Sequence, residues 1–227
     1  MIKAIFPLVL QNLIWIPTQI ILRFFGHFKV VGRENLRGLK GAVIFAGNHT
    51  SELDPILLPA SFPWFSRFFP MFYVSREKTF YDTRKLLKHI FYGGLFFELW
   101  GAYETHVGLH NYEISLNPHI KILKGGHSLS IFPEGKKSFD GIPHEGKGGV
   151  AFLSHITGAP IVPVAVSGAF KTRPRDFFSF KKHLTISFGK PIYSDELFAG
   201  KSLDDPHDYK LIVNEKIMPR IAEMMVK

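Results

Sequence analysis

The chain has no cysteine among its 227 residues. Disulfides, thiolate zinc sites and a catalytic thiol are thereby excluded, while the compartment stays open. Acidic side chains are scarce: 19 Asp and Glu stand against 28 Lys and Arg, a formal net charge of +9. Repeats, low-complexity stretches and long linkers are also missing, so one compact domain with a sizeable core is expected. Gly146-Lys147-Gly148-Gly149 lacks the spacing and hydroxyl of a P-loop, though its amides and Lys147 could still meet a phosphate. Ser51 and Ser138 show no nucleophile elbow, which argues against a serine hydrolase. His106 and His110 are four apart, but no carboxylate string beside them completes a metal site. Net charge alone would permit nucleic-acid binding; no recognised motif supports it, and no nucleic-acid partner is expected.

What is present is apolar and aromatic. Aromatics make up 15% of the chain, with 23 Phe. From Ala4 to Phe25 the polar side chains are Gln11, Asn12, Thr18, Gln19 and Arg23 only. The stretch is long enough for one bilayer crossing. Pro7, Pro17 and the Gln11-Asn12 pair interrupt a straight span, so a membrane-anchoring helix and a helical hairpin within one leaflet both fit. A cleaved signal peptide fits poorly, since no Ala-x-Ala site follows and Arg23 comes late. A buried core helix is the plain alternative. Residues 1–28 are therefore expected to anchor the protein and 29–227 to form the soluble-facing domain. Two further tracts, 62–72 and 171–182, mix phenylalanines with cations. Each is either interfacial or ordinary core, with the second favoured as facing a membrane or an acceptor.

Strands alternate with helices along the rest of the chain. Val43–Gly47, Met71–Ser75, Ser128–Phe132, Pro160–Val166 and Leu184–Phe188 read as strands. Thr83–Phe91, Gly149–Thr157 and Asp208–Val226 read as helices, the second ended by Gly158 and the third interrupted by Pro219. This order predicts an α/β fold: a single domain with a largely parallel sheet flanked by helices.

Two short strings carry the chemistry. The first is Asn48-His49-Thr50-Ser51-Glu52-Leu53-Asp54-Pro55. On a regular helix, residues five apart are rotated by roughly 140°, off a shared face. His49 and Asp54 therefore meet only if the chain turns between them, with His49 in a loop and Asp54 in a first helical turn. Thr50 and Ser51 are suited to cap that helix, Glu52 and Asp54 suit its positive end, and Pro55 suits its first turn. Of 11 histidines, only His49 is followed at the fifth position by an aspartate. An imidazole tied through one nitrogen to a carboxylate is a general base at the other. The second string is Phe132-Pro133-Glu134-Gly135, followed by Lys136 and Lys137. Both strings leave the carboxyl end of a predicted strand, where open α/β sheets place ligands.

Residues 30–170 resemble the 1-acylglycerol-3-phosphate (lysophosphatidate) acyltransferase family. The approach Val31-Gly32-Arg33-Glu34-Asn35-Leu36 is similar to that family's lead-in. Asn48–Pro55 matches its first motif, Phe132–Gly135 its third, and Ile161-Val162-Pro163-Val164-Ala165-Val166 its fourth. The resemblance implies acyl transfer from acyl carrier protein or acyl-CoA to a hydroxyl of a membrane lipid, without a covalent acyl-enzyme and without a resident cofactor. It implies His49 as base, Asp54 as its orienter, and Glu134 and Gly135 lining the acceptor site; the residues themselves add Lys136, Lys137 and Lys147 as cations to hold the headgroup. The expected acceptor is a lysophospholipid, chiefly 1-acylglycerol 3-phosphate, at a membrane, with the domain on its cytoplasmic side. The second motif departs from the family: Gly101-Ala102-Tyr103-Glu104-Thr105-His106 has no arginine, and Lys136-Lys137-Ser138 stands where Thr-Arg-Ser is usual. Lysine meets phosphate as a point charge without arginine's fork. A different acceptor, a lyso-aminolipid or glycerol 3-phosphate, and a degenerate lipid-binding protein remain alternatives.

Overall fold

The structure is a computed structural model that describes residues 4–75, 95–105, 111–173, 175, 178–199, 203 and 205–225. The predicted helix at 83–91, His106, His110 and Phe177 lie outside these residues. Seven strands form one sheet: β1 Lys29–Val31, β2 Ile44–Gly47, β3 Met71–Ser75, β4 Ala102–Glu104, β5 Ser128–Ile131, β6 Ile161–Ser167 and β7 Thr185–Phe188. Their order is β1-β7-β6-β2-β5-β3-β4. Only the β6–β7 pairing is antiparallel, so β1 and β7 run against the other five strands. The predicted α/β domain with a largely parallel sheet is the observed architecture. The three-residue strands β1 and β4 were not foreseen, being too short to show a pattern.

β2 sits at the centre and is buried along its whole length, as expected for a parallel strand covered on both faces. Alternate side chains serve the two faces. Phe45 enters one core with Phe62, Phe68 and Phe188, while Ile44 and Ala46 enter the other with Ile122, Leu153 and Ile217. The first face is covered by α1 (Ile5–Gly26) and α2 (Asp54–Ala60). The second is covered by α5 (Asn117–Lys124), α6 (Gly149–Thr157) and the C-terminal helical run from Pro206 to Glu223. Two shorter helices, α3 (Leu95–Trp100) and α4 (Tyr112–Ser115), lead into β4 and α5. Gly158 ends α6 at φ 70°, its N–H bonded to Ser154, a left-handed cap that favours glycine. The C-terminal run holds a π-helical turn at Val213–Ile217 just before Pro219.

α1 is one continuous helix through Pro17, the helical alternative of the two expected. Its inward face is mixed: Leu22 is buried, Leu10, Ile14, Trp15 and Phe25 pack against the core, and polar side chains sit among them. Gln11, Asn12 and Gln19 are buried, while Phe6, Val9, Leu13, Ile16, Ile20 and Phe24 are exposed. The Gln11 amide donates to the carbonyls of Met71 (2.8 Å) and Trp100 (2.7 Å), and its oxygen accepts from the Met71 N–H (2.8 Å). The Trp15 indole donates to Phe62 O (3.0 Å), and Gln19 donates to Ala60 O at the end of α2. A core helix ordinarily turns its apolar stripe inward; here hydrogen bonds and apolar contacts together dock one face, and a second apolar stripe faces out.

The tract at 62–72 divides: Phe62, Phe68, Phe69 and Phe72 are core, whereas Trp64 and Phe65 are exposed. In the tract at 171–182, Phe178 and Phe180 are exposed and pack edge-on or tilted against Phe24 and Phe25 of α1.

Candidate active site

β2 delivers the first motif to the carboxyl edge of the sheet. Asn48 prolongs the β2–β6 pairing with its side chain, donating to Val166 O (2.9 Å) and accepting from Val166 N (2.7 Å). This fixes the chain immediately before His49. The loop then turns so that His49 Nδ1 lies 2.8 Å from Asp54 Oδ2. Asp54 opens α2 with Pro55 behind it, as predicted. The expected side-chain cap from Thr50 or Ser51 is absent. The relation is reversed: the Asp54 carboxylate caps the loop, accepting from Thr50 N (2.6 Å), Ser51 N (2.8 Å) and Ser51 Oγ (2.9 Å).

That crowd of donors settles the histidine tautomer. Oδ2 already accepts two backbone N–H groups, so Nδ1 faces it as a third donor, and the lone pair of the neutral ring resides on Nε2. Asp54 is 1% exposed. The His49 ring stacks on Phe132 (4.3 Å between centroids, 15° between planes). Among the described residues nothing hydrogen-bonds to Nε2. The side chain retains 20% exposure, enough to meet a substrate hydroxyl.

The third motif reaches the same edge from β5, which pairs with β2. Its glutamate lies beneath the histidine. Glu134 Oε1 accepts the His49 N–H (3.2 Å) and Oε2 accepts the His144 N–H (3.2 Å). Ser138 N–H donates to the His49 carbonyl (2.7 Å), so both backbone polar groups of His49 are held by this loop. Burial pushes the Glu134 carboxyl above its usual value, against the pull of those two N–H bonds and of His144 and His49. Gly135 follows at φ 67°, and a Cβ there would lie 3.2 Å from Lys147 Cε and 3.3 Å from its Nζ. The bare glycine lets the Lys147 side chain cross the turn. Lys147 N–H also donates to Pro133 O (2.8 Å).

Lys137 pairs with Glu52 of the first motif across the exposed rim. Lys136 is exposed as well, and neither it nor Lys147 has a carboxylate partner among the described residues. All seven residues singled out from sequence thus belong to two loops that touch: His49 and Asp54 directly, Glu134 through the His49 backbone, and Gly135 against Lys147. Sequence reasoning missed His144 and Asp140, which pair at 2.8 Å beside a Phe139–His144 stack. The Asp140 carboxyl is held down to about 2, chiefly by the Ile142 N–H. Their four-residue spacing in a turn-rich loop was the available signal. Among the described residues no group of three His, Asp or Glu is placed to hold a metal ion.

A buried carboxylate, an oriented imidazole and a free Nε2 at a strand end form an arrangement chemically able to take a proton from a hydroxyl. The Acyltransferase family profile matches residues 27–167, spanning both loops and the central strands. The chain belongs to the Acyltransferase family. It is 25% identical over 144 residues to the "probable 1-acyl-sn-glycerol-3-phosphate acyltransferase" of Mycoplasma pneumoniae, covering 62% of this chain. The chain spans about half the length of that relative, 49% of it. Its fold is similar to the crystal structure of the 1-acyl-sn-glycerophosphate (LPA) acyltransferase PlsC from Thermotoga maritima. That match has a TM-score of 0.61 at 20% identity and covers 94% of this chain and 80% of the other.

Proposed function

We propose that this protein is an O-acyltransferase that converts a lysophospholipid, 1-acylglycerol 3-phosphate, to phosphatidate at a membrane surface. The single observation that carries the reading is the His49–Asp54 pair with its unpartnered Nε2 at the sheet edge. The acceptor hydroxyl attacks the carbonyl carbon of an acyl thioester, from acyl-CoA or acyl carrier protein, as its proton passes to His49 Nε2. The tetrahedral intermediate then collapses, the C–S bond breaks, and the leaving thiolate takes that proton from His49. Asp54 holds the ring and stabilises the imidazolium while it exists. The nucleophile belongs to the substrate, so no acyl-enzyme forms and no resident cofactor is needed.

Lys136, Lys137 and Lys147 give the acceptor phosphate a cationic rim, and Gly135 provides the space that Lys147 crosses. Glu134 contributes the shape of the loop, since both its oxygens accept backbone N–H groups. The acceptor in the names of both relatives supports a lysophosphatidate substrate.

Residues 1–28 anchor the protein and 29–227 form the acyltransferase domain on the cytoplasmic side. α1 is long and apolar enough to cross a bilayer. Its buried glutamines support a different placement, lying in the membrane surface with the stripe from Phe6 to Phe24 toward the lipid. Trp64, Phe65, Phe178 and Phe180 extend that surface.

The test is acyl transfer by the membrane-bound protein, offering acyl-CoA and acyl carrier protein donors against lysophosphatidate, glycerol 3-phosphate and amino or uncharged lysolipids. Acylation of lysophosphatidate is expected. Transfer confined to another acceptor would overturn the assigned substrate while keeping the chemistry.

A further inference from the structure

At the opposite end of α2 from Asp54, the outer side of α1 carries a shallow, open groove of about 450 Å³ lined by Trp15, Gln19, Ile20, Arg23 and Phe24. Two cations meet beside it. Arg23 Nε donates to Gln19 Oε1 (3.1 Å), Gln19 Nε2 donates to Ala60 O, and Arg33 Nη2 donates to Ser61 O. Ala60 and Ser61 are consecutive, so both guanidinium groups gather at the C-terminal end of α2. They lie close enough to repel: partial burial first, then the charge of Arg23, lowers Arg33 below the usual guanidinium value. Among the described residues neither has a carboxylate partner, and both are exposed. Each uses one nitrogen on the protein, leaving further N–H donors free.

A pair of like charges held together by a fold, without counter-charge, fits an anion placed between them. Guanidinium forks suit a phosphodiester better than lysine would. The surroundings fit the rest of a lipid. Ile20 and Phe24 are exposed apolar residues, and Trp15 stacks on exposed Trp64 with ring centroids 6.3 Å apart. Both indole N–H groups are bonded inward, to Phe62 O and Asn12 O, so neither needs water or a headgroup as partner. Asp54 stands at the other end of α2, roughly 10 Å along the helix at 1.5 Å per residue. The groove is therefore separate from the acceptor rim of lysines.

We propose that this groove is a binding site for an anionic bilayer phospholipid, its phosphodiester bracketed by Arg23 and Arg33 and its chains along Ile20 and Phe24. The site rests on the membrane-surface placement of α1 given above. It would fix the protein at a set height and rotation on an anionic membrane while the catalytic edge takes up a different lipid.

Flotation of the full chain with vesicles of phosphatidylcholine, alone or mixed with phosphatidylglycerol, tests it. The wild type should partition more strongly onto the mixed vesicles. Arg23→Gln and Arg33→Gln should each lower that partition about fivefold and leave binding to pure phosphatidylcholine unchanged. Arg23→Gln is the safer probe, since Arg23 bonds only to another side chain of its own helix. The control is Lys121→Gln with Lys124→Gln, two exposed cations on the opposite layer. An equal loss in the control would mean general charge attraction and overturn the site, as would wild-type indifference to phosphatidylglycerol. Failure of the wild type to bind either vesicle would instead overturn the membrane placement of α1, and the lipid site with it.

Discussion

Replacing Asp54 by asparagine exchanges one oxygen for an amide nitrogen, and the surrounding donors dictate which one. Oδ2 accepts from His49 Nδ1, Thr50 N and Ser51 N. An NH₂ group there would face three donors, each unmet bond costing about 1–3 kcal/mol. The asparagine oxygen therefore takes the Oδ2 position, and its NH₂ turns to the Ser51 hydroxyl, which can rotate to accept. His49 keeps its tautomer and loses only the charge beneath it. Coulomb's law at an effective dielectric of about 20 gives roughly 4 kcal/mol for unit charges about 4 Å apart. The 20% exposure of His49 trims that figure. The expected fall in kcat is about 10²- to 10³-fold, smaller than the roughly 10⁴-fold loss of a triad whose histidine changes tautomer. Weakening three charge-assisted bonds should also cost about 2–3 kcal/mol of stability. Single-turnover transfer at saturating donor and acceptor, with thermal melts alongside, reads both quantities. A folded Asp54→Asn protein within tenfold of wild-type kcat would refute the reasoning, because Asp54 would then not stabilise charge on His49.

Glu134→Gln should expose the role of the buried carboxyl through pH. Its folded value is raised, so the native state holds the proton more tightly than the unfolded chain, whose value is near 4.5. The stabilisation is complete below about 4.5 and is lost as pH rises through the raised value. Melting curves across that window should fall with pH in the wild type and flatten in the variant; identical slopes would dismiss the raised carboxyl. Gly135→Ala forces φ 67° on a residue with a Cβ, costing about 1–2 kcal/mol, and pushes Lys147 aside. Acceptor KM should rise more than kcat falls, and an unchanged KM would remove Lys147 from the acceptor site. Leu13→Glu places a charge on the outward stripe of α1, where Leu13 is 71% exposed. It should release the protein from vesicles without lowering the melting temperature, and continued binding would shift the anchor elsewhere.

The sequence was informative wherever local chemistry decides structure. Met71–Ser75 and Gly149–Thr157 have their predicted bounds, because an apolar run and a terminal glycine mark them. The His49–Asp54 contact followed from spacing, since a turn is the one way to join residues five apart at this site. Long-range partners were illegible. The burial of polar side chains on α1 depends on Gln11 meeting a strand 60 residues away and Gln19 a helix end 41 residues away. Without those partners the same residues read as flaws in a membrane span. The backbone donors of Glu134, His49 and His144, were equally hidden, lying 85 and 10 residues away. Thr50 and Ser51 looked like caps, but α2 begins only at Asp54, and the Ser51 hydroxyl accepts the Leu53 N–H in the loop before it.

The central claim is that His49 Nε2 removes the acceptor proton. Its most direct test is acyl transfer by His49→Ala on membranes, with donor, acceptor and bound protein matched to wild type. Asp54 would keep its two backbone donors in that variant, so the loop should persist. The expected result is transfer at background with unchanged membrane binding and folding. Turnover near the wild-type rate would contradict the assignment and require a different base.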